Sequence, residues 1–390
     1  MSDALVAELL AKPVGRATGD AKDPALTRRI DVTGDTASVT LRGPAPQVTD
    51  DAAAEVLRER GLDPEQWIPT GYRSSQWTMP GGATGVSARW SFAHRGEPVR
   101  LPDLDDLISE IGRHTPALDR PDGDHGYLVL LGDMQFGKVD GDGVAGTLRR
   151  TITGLNRAAD LLATYRQRFD IGHVHVGWLG DHVEGFNSQG AANTWRTGLT
   201  LSEQIRLTRR VMLHALTTFA PLATRLTMAA VPGNHGEAVR IAGRGITRYD
   251  DSHDTESLIA VHDAVQLNPA AFSHVDFFVP ETDELTVVLD VAGTVIAHAH
   301  GHQWRPGKHF DWWKGQAFNT TSAMHRADLL VAGHLHHEHI DTDSARTFIQ
   351  TPALESESTW WRHATGTTAA PGLIVAVTKD GHTNIKEVIR

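Results

Sequence analysis

The chain has 390 residues, 40% hydrophobic and 22% charged, with a net charge of -11, which suits two globular domains or one large domain with an appendage. No apolar run approaches the roughly 18 residues of a membrane helix, and the start Met1-Ser-Asp-Ala-Leu-Val-Ala-Glu-Leu-Leu lacks the basic and apolar regions of a secretory leader, so a cytoplasmic setting is expected. Cysteine is absent, which excludes disulfides, thiolate metal sites and cysteine nucleophiles and leaves His, Asp, Asn, Gln and Glu as metal ligands.

Residues 1–47 are turn-rich, with Gly15, Gly19, Pro24, Gly34, Gly43, Pro44 and Pro46 interrupting each pattern. An irregular segment is expected there, with a short helix at 2–11 and one strand near Ala37–Leu41. A small α+β module is expected over 48–96. Asp50 or Asp51 can cap a helix running to Arg60, Gly61 stops it, and Asp63-Pro64 offers the start of a second helix leading to Trp67. Two short helices joined by glycine resemble half of a helix-turn-helix; because no base-reading side chains accompany them, a plain packing unit is the other reading. Segments 72–77 and 86–92 flank Pro80-Gly-Gly and form a predicted hairpin. A linker rich in Pro, Asp and Gly follows over 97–125, with a helix-like piece over 101–112.

From residue 126 to 390 the pattern becomes that of a catalytic domain, with buried strands alternating with amphipathic helices. Strands are predicted at 127–131, 174–179 and 226–231 and helices at 146–168 and 202–220. A helix at 254–265 and strands at 275–279 and 285–291 come next. Strands at 294–298, 329–331, 347–351 and 372–377 complete the domain.

Five of these strands end in polar clusters: Asp133-Met-Gln135, Gly180-Asp-His-Val-Glu184, Gly233-Asn-His-Gly-Glu237, His298-Ala-His300-Gly-His302 and Gly333-His-Leu-His336. A strand that breaks into such a tip is the usual form of a site at the carboxyl end of a sheet. Two divalent cations a few ångströms apart need a bridging carboxylate with nitrogen and oxygen donors on either side, and such a pair activates water for displacement at phosphorus. Those residue types are all present. Asp133 and Gln135, like His334 and His336, are two apart and share a face on an extended strand end.

This ordered set resembles the calcineurin-like metallophosphoesterase superfamily, with Asp140-Gly-Asp-Gly and Asp311-Trp-Trp-Lys-Gly-Gln316 similar to phosphoesterases of actinobacteria and their phages. The resemblance covers about 126–377 and implies a four-layer α/β/β/α sandwich. It implies that Asp133, Gln135 and His336 hold one metal, that Asn234, His300 and His334 hold the other, and that Asp181 bridges them. His235 would be the catalytic non-ligand imidazole, and Glu184 or Glu237 would orient ligands from behind. The family position in the fourth cluster is the histidine before glycine, His300, with His302 as the alternative. Gln135 departs from the family's histidine; an amide oxygen is a harder and weaker donor, which favours Mn²⁺, with Mg²⁺, Fe²⁺ or Zn²⁺ as alternatives.

The loop 303–314 carries Arg305, Lys308, Trp312 and Lys314. Cations for phosphate and aromatic faces for bases suit a nucleic-acid groove; tryptophans closing the core beside the site are the other reading. Residues 1–100 carry 12 Lys and Arg against 13 Asp and Glu, and the remainder 25 against 35, so broad electrostatic binding of DNA is disfavoured while a local groove is not. The functional expectation is a dinuclear-metal phosphodiesterase acting on nucleic acid. Its alternatives are a phosphomonoesterase or small-nucleotide phosphodiesterase, and a non-catalytic metal-binding protein. Oligomeric state is not legible in the sequence.

Overall fold

The computed structural model describes residues 26–390 except 34–35, 80–81, 95–103, 118–119, 187–196, 242–243, 246, 320–321, 357–361, 363–365 and 367. The helix expected at 2–11 lies outside the described residues. The chain divides into two compact units, Met1–Phe92 and Ala93–Arg390.

The first unit contains strands β1 (Thr27–Thr33) and β2 (Thr36–Pro44), helix α1 (Asp50–Glu59), and strands β3 (Trp67–Thr78) and β4 (Thr84–His94). The sheet order is β1-β2-β4-β3. Among the described residues the expectation of an irregular segment is corrected for 27–44: Ala37, Val39 and Leu41 alternate into a core with Val56, Leu57, Trp67 and Trp90, and all of β1 pairs antiparallel with Thr36–Arg42 of β2. Gly43 and Pro44 fall at the end of that strand and do not interrupt it. Helix α1 is capped by Thr49, whose Oγ1 accepts from Ala52 N at 3.2 Å, and not by Asp50, which accepts from Trp90 Nε1 at 2.7 Å. No second helix follows. Asp63 Oδ1 accepts from Glu65 N at 3.0 Å in a turn, and β3 begins at Trp67, so the stretch is too short for a helix and the helix-turn-helix reading falls.

The second unit opens with helix α2 (Leu104–Arg113) and then alternates: β5 (His125–Leu131), α3 (Gly143–Tyr165), β6 (Ile171–Trp178), α4 (Leu201–Phe219) and β7 (Arg225–Ala230). Helix α5 (His253–Val265) and β8 (Val275–Phe278) follow, then β9 (Val287–Val291), β10 (Thr294–His298), α6 (His309–Phe318), β11 (Leu329–Ala332), β12 (His339–Asp343), β13 (Arg346–Gln350), β14 (Leu373–Lys379) and β15 (His382–Ile389). Helix α4 starts at a capping box in which Thr200 Oγ1 accepts from Glu203 N while the Glu203 carboxylate accepts from Thr200 N.

A six-stranded sheet runs β8-β7-β6-β5-β14-β15 and a five-stranded sheet runs β9-β10-β11-β13-β12. Alternate residues of each strand feed different layers. Tyr127, Val129 and Leu131 of β5 pack with Leu155, Leu162, Leu213 and Leu216 of α3 and α4, whereas Leu128 and Leu130 meet Val291, Ile296, Val331 and Ile349 of the five-stranded sheet. On that sheet, Leu330, Ala332 and Phe348 turn outward to Trp304 and Trp313 beside α6. The unit is therefore a four-layer α/β/β/α sandwich, and each layer follows from period-two burial on strands and 3.6-residue burial on helices. Strands β5, β6, β7 and β8 are parallel, as are β10, β11 and β13, so their carboxyl ends in each sheet lie at one edge.

Candidate metal centre

All five polar clusters lie just beyond the carboxyl ends of β5, β6, β7, β10 and β11, the edge where loops of a parallel sheet converge. Backbone hydrogen bonds stitch the loops together: Asp133 N donates to Gly180 O at 3.0 Å, Gln135 N to Asp181 O at 2.9 Å, and Gly333 N to His300 O at 2.8 Å. Asp133, Gln135, Asp181, His334 and His336 all hold positive φ, between 42° and 73°. Side chains other than glycine rarely adopt that conformation, and such strain persists where surrounding structure holds a functional geometry. Two glycines make the crossing possible. A Cβ at Gly233 would collide with Asp181 Oδ1, and one at Gly333 would stand 2.5 Å from Asp133 Oδ2.

The donors gather into two overlapping groups. One nitrogen or oxygen each from Asp181, His300 and His334 lie within 4.8 Å of one another, with His300 Nε2 3.0 Å from Asp181 Oδ2. Asp133 Oδ1 stands 3.3 Å from His336 Nε2 and 4.0 Å from His300 Nε2. Asn234 Oδ1 is buried without a hydrogen-bond partner, and Asp133 Oδ1 and His300 Nε2 meet only other members of the donor set. Desolvated acceptors of this kind are costly unless something electropositive meets them, so this donor set fits divalent cations. His300 Nε2 lies between the two groups, 3.0 Å from Asp181 Oδ2 and 4.0 Å from Asp133 Oδ1.

Electrostatics agree. Burial alone would raise the pKa of Asp133 and Asp181, but His336 pulls Asp133 down and His300 with His235 pulls Asp181 well below the usual carboxylate range. Burial alone would neutralise the imidazoles, yet Asp181 raises His300 to about 9 and Asp133 with Glu355 raises His336 to about 10. The carboxylates demand positive charge, and protonated imidazoles supply it where cations would. His334 differs: burial and the neighbouring His300 lower it to about 4, so it presents a neutral nitrogen.

His235 is held differently from the ligand candidates. Its backbone N donates to Asp181 Oδ1 at 2.7 Å, and its Nδ1 is 3.1 Å from Glu184 O and 3.3 Å from Glu184 Oε2. Nε2 faces the site, 4.0 Å from Asp181 Oδ2. Burial lowers its basicity, but Asp181 and Glu184 outweigh that and raise it to about 9, leaving a proton on the ring at neutral pH.

Several expected residues lie elsewhere or act differently. Glu184 Oε2 lies 3.3 Å from His235 Nδ1, and Glu237 pairs through its backbone with Ser252. The His302 ring is 5.5 Å from that of His300 and 6.1 Å from that of His334, outside the group that Asp181 joins. In loop 303–314 the lysines are paired with carboxylates, Lys308 with Asp311 at 2.9 Å and Lys314 with Asp343 at 2.6 Å. Trp312 packs against Trp304 at 4.6 Å, and Arg305 is exposed. The tryptophans close the outer layer of the five-stranded sheet.

Three residues escaped the sequence reading. Asp254 is fully buried and its carboxylate accepts from the backbone N of Asp181, His182 and Gly233 at 3.0, 2.9 and 2.9 Å, tying the second and third clusters together. In the sequence it is an ordinary first-turn helix carboxylate. Glu355 reaches His336 Nδ1 at 3.1 Å with one oxygen and Lys138 Nζ at 2.8 Å with the other, and Lys138 Nζ donates to Gln135 Oε1 at 3.2 Å. Neither belongs to a motif.

No family model matches the chain, and no curated protein does. Among solved structures it is similar to a conserved uncharacterized protein, a predicted phosphoesterase, from Streptococcus pneumoniae TIGR4, with 11% identity, a TM-score of 0.29, and coverage of 68% of this chain and 97% of that one. A novel archaeal phosphodiesterase matches at 9% identity with a TM-score of 0.31, covering 67% and 99%. Purple acid phosphatase PPD1 from yellow lupin seeds matches at 13% with a TM-score of 0.32, covering 91% and 70%. At such values the function rests on the geometry of this chain's own site.

Proposed function

We propose that the chain is a metal-dependent phosphoric ester hydrolase that cleaves phosphodiesters. The observation that carries this reading is the convergence of Asp181, His300 and His334 within 4.8 Å, with Asp133 Oδ1 4.0 Å from His300 Nε2 and 3.3 Å from His336 Nε2. In this reading Asn234, His300 and His334 would hold one cation and Asp133, Gln135 and His336 the other, with Asp181 shared between them, and Mn²⁺ would be the favoured ion. Bound cations supply Lewis acidity that polarises a phosphoryl oxygen and acidifies water. His235 directs Nε2 into the same space while Glu184 fixes its other nitrogen, an arrangement suited to donating a proton to the leaving oxygen.

With Lys308 and Lys314 paired to aspartates, the aromatic and basic loop does not by itself speak for a polymer, and the substrate reading stops at phosphodiesters. Nucleic acid is one arm of the test. Purified protein with Mn²⁺ is expected to hydrolyse bis-p-nitrophenyl phosphate faster than p-nitrophenyl phosphate, and degradation of linear DNA would extend the reading to a nuclease. Retention of no divalent ion, together with no turnover of either ester, would refute it. Firm metal retention with no turnover would instead favour a non-catalytic metal-binding protein.

A further inference from the structure

The two groups of donors are not equivalent in their surroundings. Around Asp181, Asn234, His300 and His334, Asn234 Oδ1 lacks a hydrogen-bond partner, His300 Nε2 meets Asp181 Oδ2 at 3.0 Å, and the other Asp181 oxygen accepts from the backbone of His235 at 2.7 Å. Around Asp133, Gln135 and His336 part of the donor set is already engaged. Lys138 Nζ donates to Gln135 Oε1 at 3.2 Å and pairs with Glu355 Oε2 at 2.8 Å, while the other Glu355 oxygen holds His336 Nδ1 at 3.1 Å.

An ammonium has donors only, so the amide atom facing Lys138 must be the oxygen, the one atom through which Gln135 can bind a metal. The side chains of Lys138 and Glu355 are only 15% and 5% exposed, so their charges act in a medium that screens them weakly. Lys138 therefore touches one ligand of that cation position, Gln135, directly and reaches a second, His336, through Glu355. It occupies the oxygen of one and neutralises the carboxylate behind the other.

Resting on the two-cation reading above, we propose that Lys138 is a positioning residue that withholds Gln135 from the first cation. The Asp133, Gln135 and His336 position is then the weak, exchangeable one, and the Asp181, Asn234, His300 and His334 position the tight one. Loss of the ammonium would free the Gln135 oxygen, leave Glu355 unneutralised behind His336, and remove a like charge from beside the incoming cation. All three changes tighten the first position.

The test is calorimetric titration of Mn²⁺ into the metal-stripped full chain, for wild type, Lys138→Met, Lys138→Arg and Gln135→His, with a thermal melt of each to verify folding. Wild type is expected to show two unequal binding events. Lys138→Met should tighten the weaker event by roughly tenfold or more, the scale on which groups behind metal ligands tune affinity. Lys138→Arg, which keeps the charge and the donors, should leave it as in wild type. Gln135→His should also tighten it, because an imidazole replaces the weaker amide donor, and so reports on the position itself; Lys138→Leu, which likewise removes the ammonium, decides the matter if Lys138→Met does not fold. A weaker event that is unchanged or weakened in folded Lys138→Met, or two equal tight events in wild type, would remove the role assigned to Lys138 while leaving the metal reading intact. Absence of binding in every variant would overturn the metal reading itself.

Discussion

Asp254→Asn probes how two distant loops are held as one site. Asp254 Oδ2 accepts from Asp181 N at 3.0 Å and Gly233 N at 2.9 Å, and Oδ1 accepts from His182 N at 2.9 Å. The amide of asparagine can keep the two bonds at the Oδ2 position, but its NH₂ then faces the His182 N–H and leaves that buried donor unpaired. An orphaned buried donor costs about 1–3 kcal/mol. At roughly 2–4 °C per kcal/mol for a domain of this size, the melting midpoint should fall by roughly 2–12 °C. Because Asp181 is the shared ligand and its loop loses an anchor, Mn²⁺ affinity should fall as well, by roughly tenfold or more. Thermal melts with and without Mn²⁺, together with calorimetric titration, read both quantities. A variant melting within about 1 °C of wild type, with unchanged Mn²⁺ affinity, would show that the carboxylate is not what joins the loops.

Gly233→Ala places a Cβ against Asp181 Oδ1 and is expected to lose retained metal, measured by elemental analysis, while far-ultraviolet circular dichroism stays close to wild type. His235→Ala should keep bound metal and lower turnover by about 10²–10⁴, the usual contribution of a positioned proton donor; a wild-type rate would remove its role. Acid should destabilise the fold through His173, which burial lowers to about 4. Its folded value lies below its unfolded value of about 6.5, so between those values the unfolded chain binds a proton that the folded chain does not. Stability is thus lost as pH falls from 6.5 towards 4, by up to about 1.4 kcal/mol per pH unit. Urea titrations of wild type and His173→Gln between pH 7 and 5 should differ in slope by about that amount, and equal slopes would refute the assignment. His175, with its Nε2 2.8 Å from His298 Nε2 and burial holding it well below its ordinary value, should add to the same acid sensitivity in both proteins.

What could be read from the chain alone were the features carried by local pattern. Strand and helix periods showed the layered order of the second unit, because burial on one face repeats every two or every 3.6 residues whatever lies opposite. The five polar tips were legible because an apolar strand that breaks into Gly, Asp, Asn and His marks the loop where a parallel strand delivers its side chains. What local pattern does not carry was settled only by tertiary contact. Asp254 lies 73 residues from the Asp181 N–H it accepts, and in sequence it cannot be told from any acidic residue in a first helical turn. Lys138 and Glu355 belong to no motif, and their importance is a matter of which oxygen each reaches in space. Likewise β1 and β2 form one hairpin against a core that only the folded unit assembles, and the tryptophans of 303–314 face inward because the outer surface of the five-stranded sheet must be covered. Periodicity says which way a side chain points relative to its own backbone; only the fold says what it meets there.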